Sequence, residues 1–187
     1  MFILYGLALG LAVGLLARGR VAGLANLQFR WAPLVLLGFA AQLLLFSDAV
    51  AARVGDLGPP LYVASTAAVV VAVVRNARIP GMIIVAAGAV CNLAAIVANG
   101  GYMPTTAEAM DQLGRSAATL YSNSAIMPTA ALALLTDLFA MPRWMPFANV
   151  YSIGDVLIAV GVAVTVVSAM RGGQRHRTTE AGGARAH

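Results

Sequence analysis

The sequence predicts an all-α fold, a bundle of membrane-spanning helices, and three observations support this prediction. Of the 187 residues, 60% are hydrophobic and 10% are charged, whereas soluble domains carry about 25% charged residues. The mean hydropathy is +0.84. The apolar residues also fall into five runs, each close in length to the roughly 20 residues that a helix needs to cross a bilayer.

The five apolar runs are the predicted transmembrane helices. They cover residues 2–17, 32–46, 59–74, 79–98 and 152–170. The first run is followed rather than preceded by arginines, which is the reverse of a secretory signal, so we expect it to be retained. Residues 1–170 are therefore expected to form one bundle domain, and residues 171–187 a disordered cytoplasmic tail.

The arginines are distributed unequally between the two sides of the predicted membrane. One side has three, Arg53, Arg115 and Arg143. The other side has nine, at positions 18, 20, 30, 75, 78, 171, 175, 177 and 185. Because basic residues collect on the cytoplasmic side, the sequence predicts an external N-terminus, a cytoplasmic C-terminus and an external segment 99–151. Arginine without lysine is typical of high-GC bacterial coding, so the predicted location is the bacterial inner (plasma) membrane.

Composition also excludes several classes of site. The basic residues lie between hydrophobic runs and are not interleaved with aromatic residues, so nucleic acid is not an expected partner. Cys91 is the single cysteine, and the two histidines, His176 and His187, lie in the tail. A zinc site made of His and Cys ligands is therefore not expected, and no cofactor is predicted.

Glycines mark the expected helix contacts. Gly6, Gly10 and Gly14 recur every four residues and leave one face of the first helix open to close approach. Packing within the bundle is the first interpretation, and self-association into an oligomer through this face is the alternative. Glycines at seven-residue spacing in the fourth and fifth runs are further predicted contact positions: Gly81, Gly88, Gly154 and Gly161.

The external segment 99–151 is too long to be a simple loop. A capping box, Thr105 to Glu108, predicts a helix that runs to about residue 121 on the membrane surface. Pro128 is suited to the first turn of a second helix, to about residue 139, which is too short to span and is therefore expected to be re-entrant or buried. Trp144 and Phe147 are expected at headgroup depth.

Polar residues in the outer halves of the predicted helices, together with residues of the external segment, predict an outward-facing polar pocket, because such groups avoid lipid. The candidate binding residues are Gln42, Ser65, Asn92, Asn99, Gly100, Gly101, Asn149 and Asp155. The partners expected for this surface are the lipid bilayer and a lipid or a membrane protein.

Structural interpretations of the same residues remain open. Ser152 and Asp155 have capping-box spacing, so Asp155 is equally well explained as part of a helix cap. Asn99, Gly100 and Gly101 are typical of a helix C-terminus. Gln42 and Asn92 could also hydrogen-bond each other across helices.

Asp137 and Asp155 are the catalytic candidates if the protein is an enzyme. Two carboxylates that share a proton can activate water, because each charge raises the pKa of the other group. Asp137 otherwise needs a charged partner, and Arg143, six residues later, is the expected one.

The chain resembles an uncharacterised bacterial integral membrane family, a domain of unknown function, over nearly its whole length. The residues that carry the resemblance are Arg18-Gly19-Arg20, Asn26-Leu27, Arg30-Trp31, Gln42, Asn99-Gly100-Gly101-Tyr102-Met103-Pro104, Thr136-Asp137-Leu138-Phe139 and Asn149-Val150-Tyr151-Ser152-Ile153-Gly154-Asp155-Val156. The resemblance implies a membrane protein and brings no activity with it.

A smaller similarity is to lipoprotein signal peptidase, on Trp144, Pro146, Asn149 and Asp155 in that order. The spacing between Asn149 and Asp155 departs from that family's pattern, and its Gly-Asn-x-x-Asp-Arg motif does not occur in this sequence.

The sequence therefore predicts a membrane protein of unknown activity, interpreted as a non-enzymatic binding or accessory protein. An intramembrane aspartate-dependent hydrolase acting at the outer leaflet is the alternative. A small transporter fits less well, because the inner halves of the helices contain almost no polar side chains.

Overall fold

The computed structural model describes residues 2–114 and 124–183 and is mostly helical. In these residues there are seven α-helices: α1 (Ile3–Leu16), α2 (Ala32–Leu45), α3 (Asp48–Val54), α4 (Gly58–Arg75), α5 (Met82–Ala98), α6 (Ala107–Leu113) and α7 (Ile153–Gly183). The helices α1, α2, α4, α5 and α7 coincide with the five apolar runs. The backbone of α7 continues past residue 170, where the sequence predicts the tail to begin.

Two segments are long and apolar enough to cross a membrane: Asp48–Arg75, with 28 residues, and Ile153–Gly172, with 20. The first joins α3 and α4 through a 3₁₀ turn. The helices α1 and α2 have 14 residues each and α5 has 17, which is short of the roughly 20 needed. The structure thus confirms five apolar helices, and two of them meet the length of a full span.

The five apolar helices pack in the spatial order α1, α7, α5, α4, α2. Gly6 faces Ala159 and Gly10 faces Ala163, so α1 and α7 run parallel. Gly88 faces Gly154 and Gly81 faces Gly161, so α5 and α7 run antiparallel. The last helix in sequence is therefore central in space, with α1 on one side and α5 on the other.

The remaining pairs are antiparallel as well. Tyr62 near the start of α4 shares a buried cluster with Ile96 near the end of α5, and Val73 near the end of α4 shares one with Met82 at the start of α5. The Gln42 amide of α2 donates to the Ser65 and Thr66 hydroxyls of α4, and Gly38, one turn earlier, faces Val69, one turn later. Each helix therefore runs opposite to the preceding apolar helix in sequence.

Glycine allows the closest of these helix contacts. A Cβ atom on Gly6 would lie 2.6 Å from the Ala159 Cα atom, and one on Gly88 would lie 2.9 Å from the Ile158 backbone nitrogen. Real Cβ atoms do not approach backbone so closely, so only glycine fits. The structure confirms the predicted contact positions, and Gly6, Gly10 and Gly14 are all buried against α7 of the same chain.

Helix direction separates the charges. Six arginines lie at one end of the helix row, which we call the arginine end. They follow α1 and α4, precede α2 and α5, or belong to α7: Arg18, Arg20, Arg30, Arg75, Arg78 and Arg171. Residues 47–57, 99–114 and 124–151, together with the first turn of α7, lie at the other end, which we call the capped end.

The capped end contains β-structure, so the all-α prediction is wrong there. Strand β1 (Met103–Thr105) pairs in parallel with β2 (Ser124–Ile126). Strand β3 (Phe139–Ala140) pairs antiparallel with β4 (Val150–Tyr151). Each strand has two or three residues, too few for a periodic hydrophobic pattern to be visible in the sequence.

The predicted surface helix is shorter than expected and begins later. Thr106, rather than Thr105, is its N-cap, because the Thr106 hydroxyl accepts a hydrogen bond of 3.1 Å from the Ala109 amide. Thr105 belongs to β1 and is buried. The helix ends at Gly114, which has φ +68°. The rest of the prediction, residues 115–121, lies outside the described residues.

The predicted re-entrant or buried helix at 128–139 is wrong. This segment contains a 3₁₀ turn at Ala133–Leu135, preceded by Leu132 in the left-handed region at φ 52°. Asn99 holds the Ala131 backbone through two hydrogen bonds of 2.9 Å, one to its carbonyl and one from its amide. Long-range pairing therefore outweighs the helix propensity of the Ala and Leu residues.

We expect Gly6→Ala to lower the melting temperature of the detergent-solubilised protein. Alanine gains about 0.5–1 kcal/mol of helix stability over glycine, but overpacking a tight contact costs about 1–3 kcal/mol. Gly172→Ala is the matched control, because a Cβ atom there meets nothing within 4 Å. A Gly6→Ala variant as stable as Gly172→Ala would contradict the close α1–α7 contact.

Candidate functional site

A network of three polar side chains joins α5 to the start of α7 at the capped end. The Asn92 amide donates to the Asp155 carboxylate at 2.8 Å, and the Ser152 hydroxyl donates to the Asn92 carbonyl oxygen at 2.9 Å. Ser152 is fully buried. Gly154 lies directly against the Asn92 side chain, so the close approach of α5 and α7 brings these groups together.

Asp155 closes a capping box. Its backbone amide donates to the Ser152 hydroxyl at 3.0 Å, and its carboxylate accepts from the Ser152 amide at 3.1 Å. The backbone amides of Ser152 and Asp155, which have no partner within the helix, are thereby satisfied. A negative charge is also favourable at a helix N-terminus. One carboxylate oxygen serves the cap and the other accepts from Asn92. The capping interpretation of Asp155 therefore agrees with the geometry.

Asp137 is buried, with 6% of its surface exposed. Its amide donates to the Pro104 carbonyl at 2.9 Å, and its carbonyl accepts from the Thr105 hydroxyl at 2.9 Å, so β1 holds its backbone. The Ser124 hydroxyl of β2 lies 3.5 Å from its carboxylate. Burial raises the pKa of Asp137 from 3.8 to about 7; the negative charge of Asp155 adds to the rise, and the Ser124 hydrogen bond opposes it.

Arg143, which the sequence suggests as the partner of Asp137, binds elsewhere. Its guanidinium donates to the Gln112 carbonyl at 2.6 Å and to the Asp111 carbonyl. These carbonyls belong to the last turn of α6, where a cation is favoured by the helix dipole. Arg143 therefore caps α6. The charge that acts on Asp137 comes from Asp155 instead.

Asn99, Gly100 and Gly101 form the C-terminal stop of α5. The Gly101 amide donates to the Ile96 carbonyl at 2.9 Å and the Gly100 amide to the Val97 carbonyl at 3.3 Å, the pattern of a Schellman motif. Gly100 has φ +69° and Gly101 has φ +91°, which favour glycine. These three residues therefore end the helix and anchor residue 131 through Asn99.

The other predicted pocket residues lie apart from this network. Gln42 and Ser65 bind each other at 3.3 Å in the α2–α4 contact, so Gln42 and Asn92 do not form the pair that the sequence allowed. The Asn149 carbonyl accepts from the Met141 amide at 3.0 Å next to the β3–β4 pair. The predicted set is thus divided among the α2–α4 contact, the α5–α7 network and the loops that cover the helix ends.

Sequence reasoning missed Asn76, the buried C-cap of α4. Its amide donates to the Ala72 carbonyl and to the Arg30 carbonyl, both at 2.7 Å, and its oxygen accepts from the Arg30 amide at 2.8 Å. Asn99 does the same at the end of α5, with Ala95 and Ala131. The sequence feature that could have identified these two caps is an asparagine directly after an apolar run.

In the described part of the chain, every buried side-chain nitrogen and oxygen has a hydrogen-bond partner. The same residues contain no group of three or more His, Cys, Asp or Glu that could hold a metal ion. The buried polar groups of the capped end therefore have partners within the fold, and the pKa of Asp137 is raised to about 7.

A family model described as a family of unknown function (DUF5317) matches residues 26–167 of the chain. These residues include every member of the α5–α7 network and both asparagine caps. The search of curated proteins and the search of solved structures gave no match.

We expect the protein to lose stability as the pH rises from about 4 to about 7. The carboxyl of Asp137 binds its proton more tightly in the folded state, so its stabilising contribution is complete below pH 3.8 and is lost through about pH 7. Asp137→Asn should flatten this dependence in melting curves, because asparagine keeps the shape of the protonated acid. An unchanged pH profile in Asp137→Asn would contradict the assignment, and Asp56→Asn, at an exposed position, is the control.

We expect Asn92→Ala and Asp155→Ala to be coupled. Each removes one partner of the same partly buried hydrogen bond, so the double variant should lose less stability than the sum of the single losses, by about 0.5–3 kcal/mol. Gln42→Ala combined with Asp155→Ala is the control and should be additive, since α4 and α5 separate α2 from α7. Additive losses for Asn92 and Asp155 would show that the bond contributes little.

Proposed function

The chain belongs to the DUF5317 family of unknown function, and on that premise we propose that it is a multi-pass membrane protein with a non-enzymatic binding or accessory role. In this proposal all five apolar helices cross the bilayer. The N-terminus is external, the C-terminus is cytoplasmic, and the capped end faces outward in a bacterial inner membrane. The observation that best supports this proposal is that the helices alternate in direction and the arginines lie at one end of the helix row.

The exposed surface of the helices supports membrane insertion. The side chains of Leu16, Leu36, Leu43 and Ile83 are exposed by 85%, 69%, 75% and 69%. Contiguous apolar surface of this kind is unfavourable in water, whereas in a bilayer it faces lipid. Each of the five apolar helices exposes large apolar side chains in this way.

Alternating direction supports five crossings rather than two. A chain with five consecutive crossings places its first and fifth spans parallel, and α1 and α7 are parallel neighbours. The short helices α1, α2 and α5 cover about 21–26 Å at 1.5 Å per residue, and a bilayer can thin locally around them. Two crossings by α4 and α7 alone would leave the apolar surfaces of α1 and α2 in water.

A binding or accessory role is favoured by how the polar groups are used. The Asp155 carboxylate is bound by a helix cap and by Asn92, and the carboxylate of buried Asp137 faces the Ser124 hydroxyl. The capped end also presents Trp144 and Phe147, exposed by 82% and 69%. Amphipathic rings of this kind lie at headgroup depth, where a lipid or another membrane protein can contact them.

The aspartate-dependent hydrolase remains the second candidate, on one observation. Asp155 raises the pKa of Asp137, as expected for two acids that cooperate near neutral pH. A hydrolase requires that Asp137→Asn and Asp155→Asn abolish the same hydrolytic activity in reconstituted vesicles while the protein stays folded. The binding role instead predicts no hydrolytic activity in the unsubstituted protein and a loss of stability on removal of Asp155.

The orientation is tested with cysteines in a Cys91→Ser background. Ala107→Cys and Asp56→Cys lie at exposed positions of the capped end, and Gly172→Cys lies where an added side chain meets nothing. In intact cells a membrane-impermeant thiol reagent should label the first two and leave the third unlabelled until the membrane is permeabilised. The reverse pattern would overturn the orientation, and labelling of all three would overturn the five-span arrangement.

A further inference from the structure

The arginine end holds a surface cavity that the proposed function does not use. It has a volume of about 490 Å³ and is lined by Trp31, Pro33 and Leu34 at the start of α2. Its lining is apolar, and Trp31 is 52% exposed. An apolar cavity beside exposed cations differs from the capped end, where polar groups bind one another.

Asn76 fixes the position of this cavity. Its side chain binds both the amide and the carbonyl of Arg30, so the start of α2 is attached to the C-terminal end of α4. Trp31, the next residue, has φ 61°, a conformation that residues other than glycine rarely adopt. Such conformations persist where surrounding contacts impose them, and they occur often in binding sites.

The attachment places exposed arginines near the start of α2, where the cavity lies. Arg30 precedes Trp31, and Arg75 and Arg78 flank Asn76; all three side chains are exposed. In the described chain up to residue 172, every Asp and Glu lies at the capped end. Among the residues up to 172 that the structure describes, the charge near the start of α2 is therefore positive.

We propose that this cavity binds an anionic phospholipid, with the phosphate against Arg30, Arg75 and Arg78 and an acyl chain against Trp31, Pro33 and Leu34. The inference rests on the proposed membrane topology, which places this end at the cytoplasmic leaflet. Basic pockets beside membrane helices bind acidic headgroups by this combination of charge and apolar contact. A soluble phosphate would use the arginines and leave the apolar lining empty.

Trp31 provides a direct measurement, since the chain has two tryptophans and Trp144→Phe leaves Trp31 as the only one. The full chain with this substitution is reconstituted in phosphatidylcholine vesicles. Bromine-labelled phosphatidylglycerol or bromine-labelled phosphatidylcholine, with identical acyl chains, is then added at equal low mole fractions. Quenching of Trp31 fluorescence reports the local concentration of each lipid. We expect the anionic lipid to quench several-fold more efficiently.

The arginines are tested by removing their charge. Each of Arg30→Gln, Arg75→Gln and Arg78→Gln should lower the preference for the anionic lipid, by up to about fivefold per arginine. Arg53→Gln is the matched control, because Arg53 is an exposed arginine at the opposite end. Trp31→Gly in the Trp144-containing protein, where glycine accepts φ 61° without strain, should abolish lipid-dependent stabilisation by phosphatidylglycerol in melting curves.

The outcomes separate the two proposals. Equal quenching by both lipids would overturn the lipid site and leave the topology intact. Quenching by neither would show that Trp31 is outside the membrane, which would contradict the proposed function. A preference that Arg53→Gln reduces as much as Arg30→Gln does would reflect net charge alone and would also overturn the site.

Discussion

The close contact of α7 with α1 on one side and α5 on the other is the constraint on which the rest of the structure depends. Gly6 and Gly10 let α1 reach the α7 backbone, and Gly88 and Gly154 do the same for α5. Without water between helices in a bilayer, association relies on packing, which such small residues permit. The contact at Gly154 also brings Asn92 within hydrogen-bonding reach of Ser152 and Asp155, so the polar network of the capped end follows from helix packing.

The ends of α4 and α5 are finished in the same way. Asn76 and Asn99 each donate to the carbonyl four residues earlier and bind both backbone groups of a distant residue. The asparagine side chain thus satisfies a helix carbonyl that has no partner within the helix. The same side-chain amide also pairs with the backbone N–H and C=O of the distant residue, as a neighbouring strand would. Because α4 and α5 run in opposite directions, these two asparagines lie at opposite ends of the helix row. Each binds the segment that packs at its own end.

The sequence predicts the helices well because apolar runs, glycine spacing and arginine placement are local signals. It predicts the contacts of Gly81, Gly88, Gly154 and Gly161 for the same reason. The prediction for residues 99–151 fails where the outcome depends on distant partners. Asn99 binds the backbone of residue 131, which is not helical, and pairing of β1 with β2 places Thr105 in a strand. The candidate site is predicted in part, since the capping spacing of Ser152 and Asp155 is local, whereas the partner of Asp155 on α5 and the real contact of Arg143 on α6 are not.

Charged side chains have different surroundings at the two ends of the helix row. At the capped end Asp155 is bound within the fold, Arg143 caps α6, and buried Asp137 avoids the cost of desolvating a charge by binding a proton near neutral pH. At the arginine end the cations stay exposed, and the attachment by Asn76 holds three of them near the start of α2, where an apolar cavity lies. Charges satisfied within the fold stabilise it, whereas charges held at the surface without acidic neighbours attract anions from outside. The capped end therefore uses its charged groups within the fold, and the proposed recognition of another molecule by charge belongs to the arginine end.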